Sequence, residues 1–306
     1  MEHQVVSLIA SATEIVAALG YEDSLVGRSH ECDFPPSVEA LPVCSEPRID
    51  VSGSSNEIDQ QVKASLRDAL SIYTVFRDEL ERLKPSVIIT QSQCDVCAVN
   101  LADVQAAVCE MVKSKPEIVS LEPMALSDIW SDIQTVADAL NDAEAGRRLI
   151  EALQQRLQNL TTMLPESKAR PTVVCVEWLE PLMPAGNWIP ELVELAGGTL
   201  LLSEAGKHSP WMTWDELVAA DPDFIVIMPC GFGIERTQRE LHLLSEHQSW
   251  PGLKAVQTGN VYLTDGHQYF NRPGPRVVES AEILAEILHG ANVDFGHKGT
   301  SWIRCL

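Results

Sequence analysis

Short apolar runs alternate with stretches of helical period along most of this chain. The first run, Val5-Val6-Ser7-Leu8-Ile9, predicts a strand. Ser11-Ala12-Thr13-Glu14 follows it as a capping-box pattern, predicting a short helix through Leu19 that ends at Gly20. Further strands are predicted at Leu25–Gly27, Ser86–Thr90 and Glu117–Leu121, with helices near Glu57–Leu83 and Leu101–Val112. Strands that alternate with helices imply a mainly parallel sheet. From Ser127 the period changes: Ile129, Ile133, Val136, Leu140, Leu149, Leu153, Leu157 and Leu160 keep close to helical spacing, with no proline until Pro165. One extended helix is the simplest reading, softened at Asn141-Asp142. A second strand series then begins at Thr172 and continues at Asp223–Met228 and Asn260–Thr264, with helices starting near Ile189, Thr213, Glu235 and Pro275. The expected organisation is an α/β lobe over 1–125, a linking helix over 126–165, a second α/β lobe over 166–290, and a tail over 291–306 with little pattern.

Composition narrows the function. The 306 residues suffice for two domains, and 45% hydrophobic content is ordinary for a globular chain. Charge is not ordinary: 44 acidic against 22 basic side chains leave −22, which repels phosphates and anionic lipid. Nucleic acid and membrane surfaces are therefore disfavoured as partners. No apolar stretch approaches the roughly 18 to 20 residues that span a bilayer. The opening Met1-Glu2-His3-Gln4 lacks a basic region and a long apolar core, so the expected compartment is cytoplasmic as written, or periplasmic if a leader has been removed. Of the eight cysteines, Cys109 and Cys175 read as core thiols, and Cys305 is too near the end for prenylation.

The candidate chemistry sits after apolar runs. His30-Glu31-Cys32-Asp33 follows Leu25-Val26-Gly27, and Cys94-Asp95-Val96-Cys97 follows Val87-Ile88-Ile89-Thr90. In a parallel sheet both would emerge at carboxyl ends, where open α/β folds bind ligands. Cys94-x-x-Cys97 has the spacing of a metal-thiolate pair or a redox dithiol, and His30 and Cys32 can supply further ligands. Cys230 follows another buried strand and should face the same cleft. Three readings stand side by side: small half-buried fillers, a contact to a metal or metal-containing ligand, and a cytoplasmic thiol enzyme using Cys94 and Cys97 at the start of the helix from Leu101. Trp178, Trp188, Trp211 and Tyr269 fall in predicted loops and offer flat faces for stacking. His208 and His267 lie near them as possible axial ligands or solvated side chains. Arg272 can pair with a ligand carboxylate or phosphate, or with a surface acid. Trp188 also precedes a helix whose amino terminus offers free N–H groups. Neither a dinucleotide fingerprint nor a P-loop is present, and the hydrolase elbow and the zinc-protease motif are missing too.

Several segments together carry a family likeness. Val6-Ser7-Leu8-Ile9-Ala10-Ser11-Ala12-Thr13-Glu14-Ile15, Leu25-Val26-Gly27 running on to Asp33-Phe34-Pro35-Pro36, and Leu83-Lys84-Pro85-Ser86-Val87-Ile88-Ile89 resemble class III substrate-binding proteins of ABC importers. Within that group the likeness is to cobalamin-binding proteins. Val193-Glu194-Leu195-Ala196-Gly197-Gly198, Pro210-Trp211, Trp214-Asp215-Glu216-Leu217 and Asp221-Pro222-Asp223-Phe224 continue it in order, up to about His289. The resemblance implies two Rossmann-like lobes on a helical hinge, a monomer, no catalysis, and a flat ligand such as cobalamin or another corrinoid held between the lobes. Glu31 and Gln91 fall where cobalamin binders place aromatic side chains against the ligand, and both are departures. The family docks on an importer permease through one acidic residue per lobe. Asp78 and Glu216 match those positions, although Asp78 also suits an ordinary helix face and Glu216 a capping box with Thr213.

Overall fold

The computed structural model describes residues 3–67, 71–93, 99, 101–109, 115–165 and 170–305. In the first half the elements are β1 (Val5–Ser7), α1 (Ala10–Ala18), β2 (Leu25–Arg28), β3 (Ser45–Pro47), α2 (Ser55–Arg67), β4 (Tyr73–Val75), α3 (Arg77–Leu83), β5 (Val87–Gln91), α4 (Leu101–Cys109), β6 (Glu117–Leu121), α5 (Leu126–Ala139) and α6 (Ala143–Met163). The second half contains β7 (Thr172–Trp178), β8 (Met183–Pro184), α7 (Ile189–Leu195), β9 (Thr199–Leu200), α8 (Trp214–Ala220), β10 (Phe224–Ile227), α9 (Ile234–Glu240), α10 (His242–Ser245), α11 (Lys254–Gln257), β11 (Val261–Thr264), α12 (Val277–His289) and β12 (Trp302–Arg304).

The chain forms two compact lobes. One comprises the chain up to Gly53 with Glu57–Pro123 and Ser127–Ala152; the other comprises Ser54–Asn56, Met124–Leu126 and the chain from Leu153 onward. In the first lobe a parallel sheet runs in the order β2-β1-β5-β6. Its central strands are apolar on both faces, as a sheet covered by helices requires: Val5, Val6, Val87, Ile88 and Ile89 are all buried. The order reverses between β1 and β5, which puts the switch point at their carboxyl ends. The second lobe has the order β12-β11-β10-β7-β8, with β9 beside β7. Its parallel core is β11-β10-β7, and its switch point lies between β7 and β10.

Four sequence expectations change. The capping box at Ser11 and Glu14 does not form: α1 starts at Ala10, its cap is the extended Ile9 without a side-chain bond, and Ser11 and Glu14 are buried. The helix expected over 57–83 is interrupted by β4, because buried Ile72 and Tyr73 carry the chain into an antiparallel pairing with β3. The single helix expected over 126–165 is two. Asn141 adopts a left-handed φ of 59° and the Asp142 carboxylate accepts the Ala145 N–H at 3.0 Å, capping α6 afresh. The tail is not patternless, since β12 pairs antiparallel with β11 and Trp302 is buried. The capping box at Thr213 does form, with Thr213 Oγ1 accepting the Glu216 N–H and Glu216 accepting the Thr213 N–H.

Candidate functional site

Each lobe presents a carboxyl edge of its sheet, and the candidate residues distribute over these two edges. In the first lobe, the loops after β1 and β2 enclose a small hydroxyl and thiol cluster. Thr13 Oγ1 lies 2.8 Å from Ser7 Oγ and 2.9 Å from Cys32 Sγ, and Ser29 Oγ lies 3.2 Å from the same sulfur. Cys32 is 1% exposed, so its thiol belongs to the interior of this loop rather than to the surface that sequence position suggested. Gln91 is likewise buried, on the last residue of β5. His30 remains partly exposed, 5.6 Å from the Tyr73 ring centre, with Nδ1 3.3 Å from Ser45 Oγ. Burial, reinforced by the Arg28 charge, lowers its pKa to about 4. Glu31 beside it is the more exposed of the two. Cys94 and Cys97 lie outside the described residues. Among the described residues, no three His, Cys, Asp or Glu side chains converge as a metal site.

The second lobe's edge is richer. Trp178 ends β7 and packs against Phe232 at 5.3 Å between ring centres, while the Arg236 guanidinium sits 3.7 Å over the Phe232 ring. Cys230 is a partly exposed free cysteine whose backbone N–H donates to the Glu177 carbonyl, which places it at the switch point between β7 and β10. Trp211 is 57% exposed and is the most exposed of the candidate aromatics described. Trp188, expected as a second flat face, is only 4% exposed. Its indole N–H donates to the Phe270 carbonyl at 2.9 Å, a bond that turns the ring inward and makes it part of the packing. Arg272 is also buried, with Nη2 3.1 Å from His267 Nε2. His208 is exposed. Tyr269 stands partly exposed in the loop after β11.

Sequence reading passed over the groups that frame this edge. Ser209 Oγ donates to Glu177 Oε2 at 2.6 Å and accepts the Gly186 N–H at 2.9 Å, two residues before Trp211. Burial pushes the Glu177 carboxyl up, against the pull of those hydrogen bonds. A Cβ at Gly186 would lie 2.6 Å from the Lys207 carbonyl, and one at Gly266 only 2.2 Å from the Pro229 carbonyl. Glycine is therefore what lets these loops close on one another. The available signal was Glu177 itself, a carboxylate interrupting Val173-Val174-Cys175-Val176 just where the strand ends.

Asp78 is exposed in the first turn of α3 and borders a groove with Val43, Phe76, Arg77 and Glu79. Glu216 is exposed at the start of α8, and the Thr213 hydrogen bonds hold its carboxyl below the usual range. Among the core thiols, Cys175 is fully buried and pushed far up by burial; Cys44, also buried, is pushed up to about 12.

The profile of the family described as "Periplasmic binding protein" matches residues 5–267. The chain belongs to this family. Its members are non-enzymatic substrate-binding components of transport, and nothing in the comparisons supports the thiol-enzyme alternative. Among curated relatives, the "Vitamin B12-binding protein" of Vibrio cholerae serotype O1 is 22% identical over 294 residues, covering 93% of this chain and 88% of its own. The protein of the same description from Photorhabdus laumondii subsp. laumondii is 21% identical over 287 residues, covering 94% and 88%. Solved structures share the fold. The periplasmic heme-binding protein RhuT from Roseiflexus sp. RS-1 has a TM-score of 0.70 at 18% identity, covering 95% of this chain and 100% of its own. The periplasmic vitamin B12 binding protein BtuF of Vibrio cholerae has a TM-score of 0.65 at 21% identity, covering 94% and 97%. These relatives favour the periplasmic alternative of the two compartments expected above.

Proposed function

We propose that this periplasmic binding protein captures a corrinoid of the cobalamin class for an ABC importer. The observation that carries the reading is the end-to-end correspondence with two vitamin B12-binding proteins, over 93% and 94% of the chain. The second lobe's edge supports it: exposed Trp211, partly exposed Trp178 and partly exposed Tyr269 supply aromatic surface of the kind a planar macrocycle requires. On the first lobe, acidic Glu31 replaces an aromatic contact and Gln91 is buried, so stacking falls mainly to the second lobe. Asp78 and Glu216, both exposed on first turns of helices, are the docking pair for cationic side chains of the permease.

Isothermal titration with cyanocobalamin, cobinamide and haem tests the reading. Saturable corrinoid binding is expected, together with at least about tenfold weaker binding in Trp211→Ala, since burying a large aromatic face is worth about 1.5–3 kcal/mol. Haem binding without corrinoid binding would move the ligand to the other class that the structural relatives' descriptions name.

A further inference from the structure

The last stretch of the chain holds none of the candidate ligand residues. It leaves α12 at Gly290, turns back, and joins the sheet as β12. Because β12 runs antiparallel to β11, with Trp302 opposite Thr264 and Arg304 opposite Tyr262, the residues just before Trp302 lie past the carboxyl end of β11. They therefore sit beside the loop that carries Tyr269, and the Asp265 N–H donates to the Ser301 carbonyl at 2.9 Å.

Two carboxylates one turn apart on α12 fasten this segment. Glu286, 3% exposed, accepts the Phe295 N–H at 2.5 Å, the His297 N–H at 3.1 Å and the Trp302 indole N–H at 2.5 Å. Glu282 lies 3.1 Å from His297 Nε2 and pairs with Arg156 at 2.9 Å. Burial works against the Glu282 charge, yet His297 and Arg156 hold its carboxyl below the usual range. Held this way, the His297 ring meets Tyr269 edge to face, with 6.3 Å between centres and planes at 69°. The Arg276 guanidinium lies 5.2 Å over the same tyrosine.

We infer that His297 is a positioning residue for the ligand loop: anchored on Glu282, its imidazole fixes the Tyr269 ring. The inference rests on the reading of Tyr269 as a ligand contact. The charged and titratable groups around His297 are Glu282 and Glu286 from α12, Arg156 from α6 through Glu282, Tyr269 and Arg276 from the loop, and Lys298 beside it. Glu282 meets the ring at Nε2 while Glu286 accepts the backbone N–H, so both the side chain and the main chain of His297 are fixed to α12.

The test uses the full chain as wild type, His297→Gln, His297→Ala and Tyr269→Leu. Cyanocobalamin is titrated by calorimetry, with thermal melts confirming that each variant folds. His297→Ala should bind about three- to tenfold more weakly than wild type. His297→Gln keeps a donor toward Glu282 and should restore most of that loss. Independently of any ligand, the His297 ring resonance, assigned by its loss in His297→Gln, should shift in Tyr269→Leu because the neighbouring ring is gone. Wild-type affinity in a folded His297→Ala, or a His297 resonance unmoved by Tyr269→Leu, would overturn the inference. If cyanocobalamin does not bind the wild type, the corrinoid reading fails, and the resonance alone decides whether His297 holds Tyr269.

Discussion

Asp132 on α5 shows how a single buried group writes pH dependence into the fold. It is 9% exposed, and its Oδ2 has no hydrogen-bond partner. Burial raises its pKa to about 7; the Glu122 N–H opposes the shift, and the Asp128 and Glu122 charges add to it. The native state therefore keeps a proton that the unfolded chain, with an ordinary carboxyl near 3.8, has already released. Stability should fall as pH rises from about 4 through 7. Asp132→Asn, neutral throughout, should gain up to about 3 kcal/mol over wild type at pH 8 and little at pH 4, measured by urea unfolding; equal gains at both would refute the assignment. His30 acts with the opposite sign. Its folded pKa near 4 lies below the ordinary 6.5, so the unfolded chain takes up a proton first and stability is lost as pH falls across that window. His30→Gln should flatten the acid limb of the same measurement. Residue identity marked the candidates for chemistry, but not which way a side chain faces. Trp188 and Trp211 both looked like loop aromatics, yet an indole hydrogen bond to Phe270 turns one inward and leaves the other at the surface.

At the scale of elements, legibility followed locality. The capping box at Thr213 formed because all of its partners lie within one turn. Thr213→Ala should cost about 1 kcal/mol in urea unfolding, and an unchanged midpoint would mean that α8 is held by tertiary packing alone. The similar pattern at Ser11 failed because β1 leads almost directly into α1, and burial of Ser11 and Glu14 overrode their local preference. The break between α5 and α6 was visible as Asn141-Asp142, but the periodic leucines outweighed it. What decides it is a bond from distant Tyr21, whose hydroxyl donates to Asp142 at 3.0 Å, together with the new cap on Ala145. β12 was invisible because a short edge strand carries almost no periodicity of its own. Trp302→Ala should nevertheless cost about 3–5 kcal/mol, since it removes a buried indole and leaves Glu286 short of a donor. A loss below about 1 kcal/mol would show that the tail is only loosely attached.

For the molecule as a whole, the governing quantity is the charge of −22. Self-repulsion of this size weakens the compact state and is screened by salt, so the melting temperature should rise between low ionic strength and about 0.15 M sodium chloride. A flat or falling curve would mean that local ion pairs outweigh the net charge. The sequence alone determined the α/β class, the alternation that makes both sheets mainly parallel, and the order of motifs that marks the family, because each is written in short-range periodicity and spacing. Tertiary structure decided which candidates stand at the sheet edges and which serve the core: Cys32, Gln91, Trp188 and Arg272 are buried, whereas Trp211 is exposed and Glu31 partly so. It also brought Glu177 to Ser209 and His297 to Tyr269. Those pairings join residues far apart in the chain, and no local pattern encodes which distant partner will satisfy a buried donor or charge.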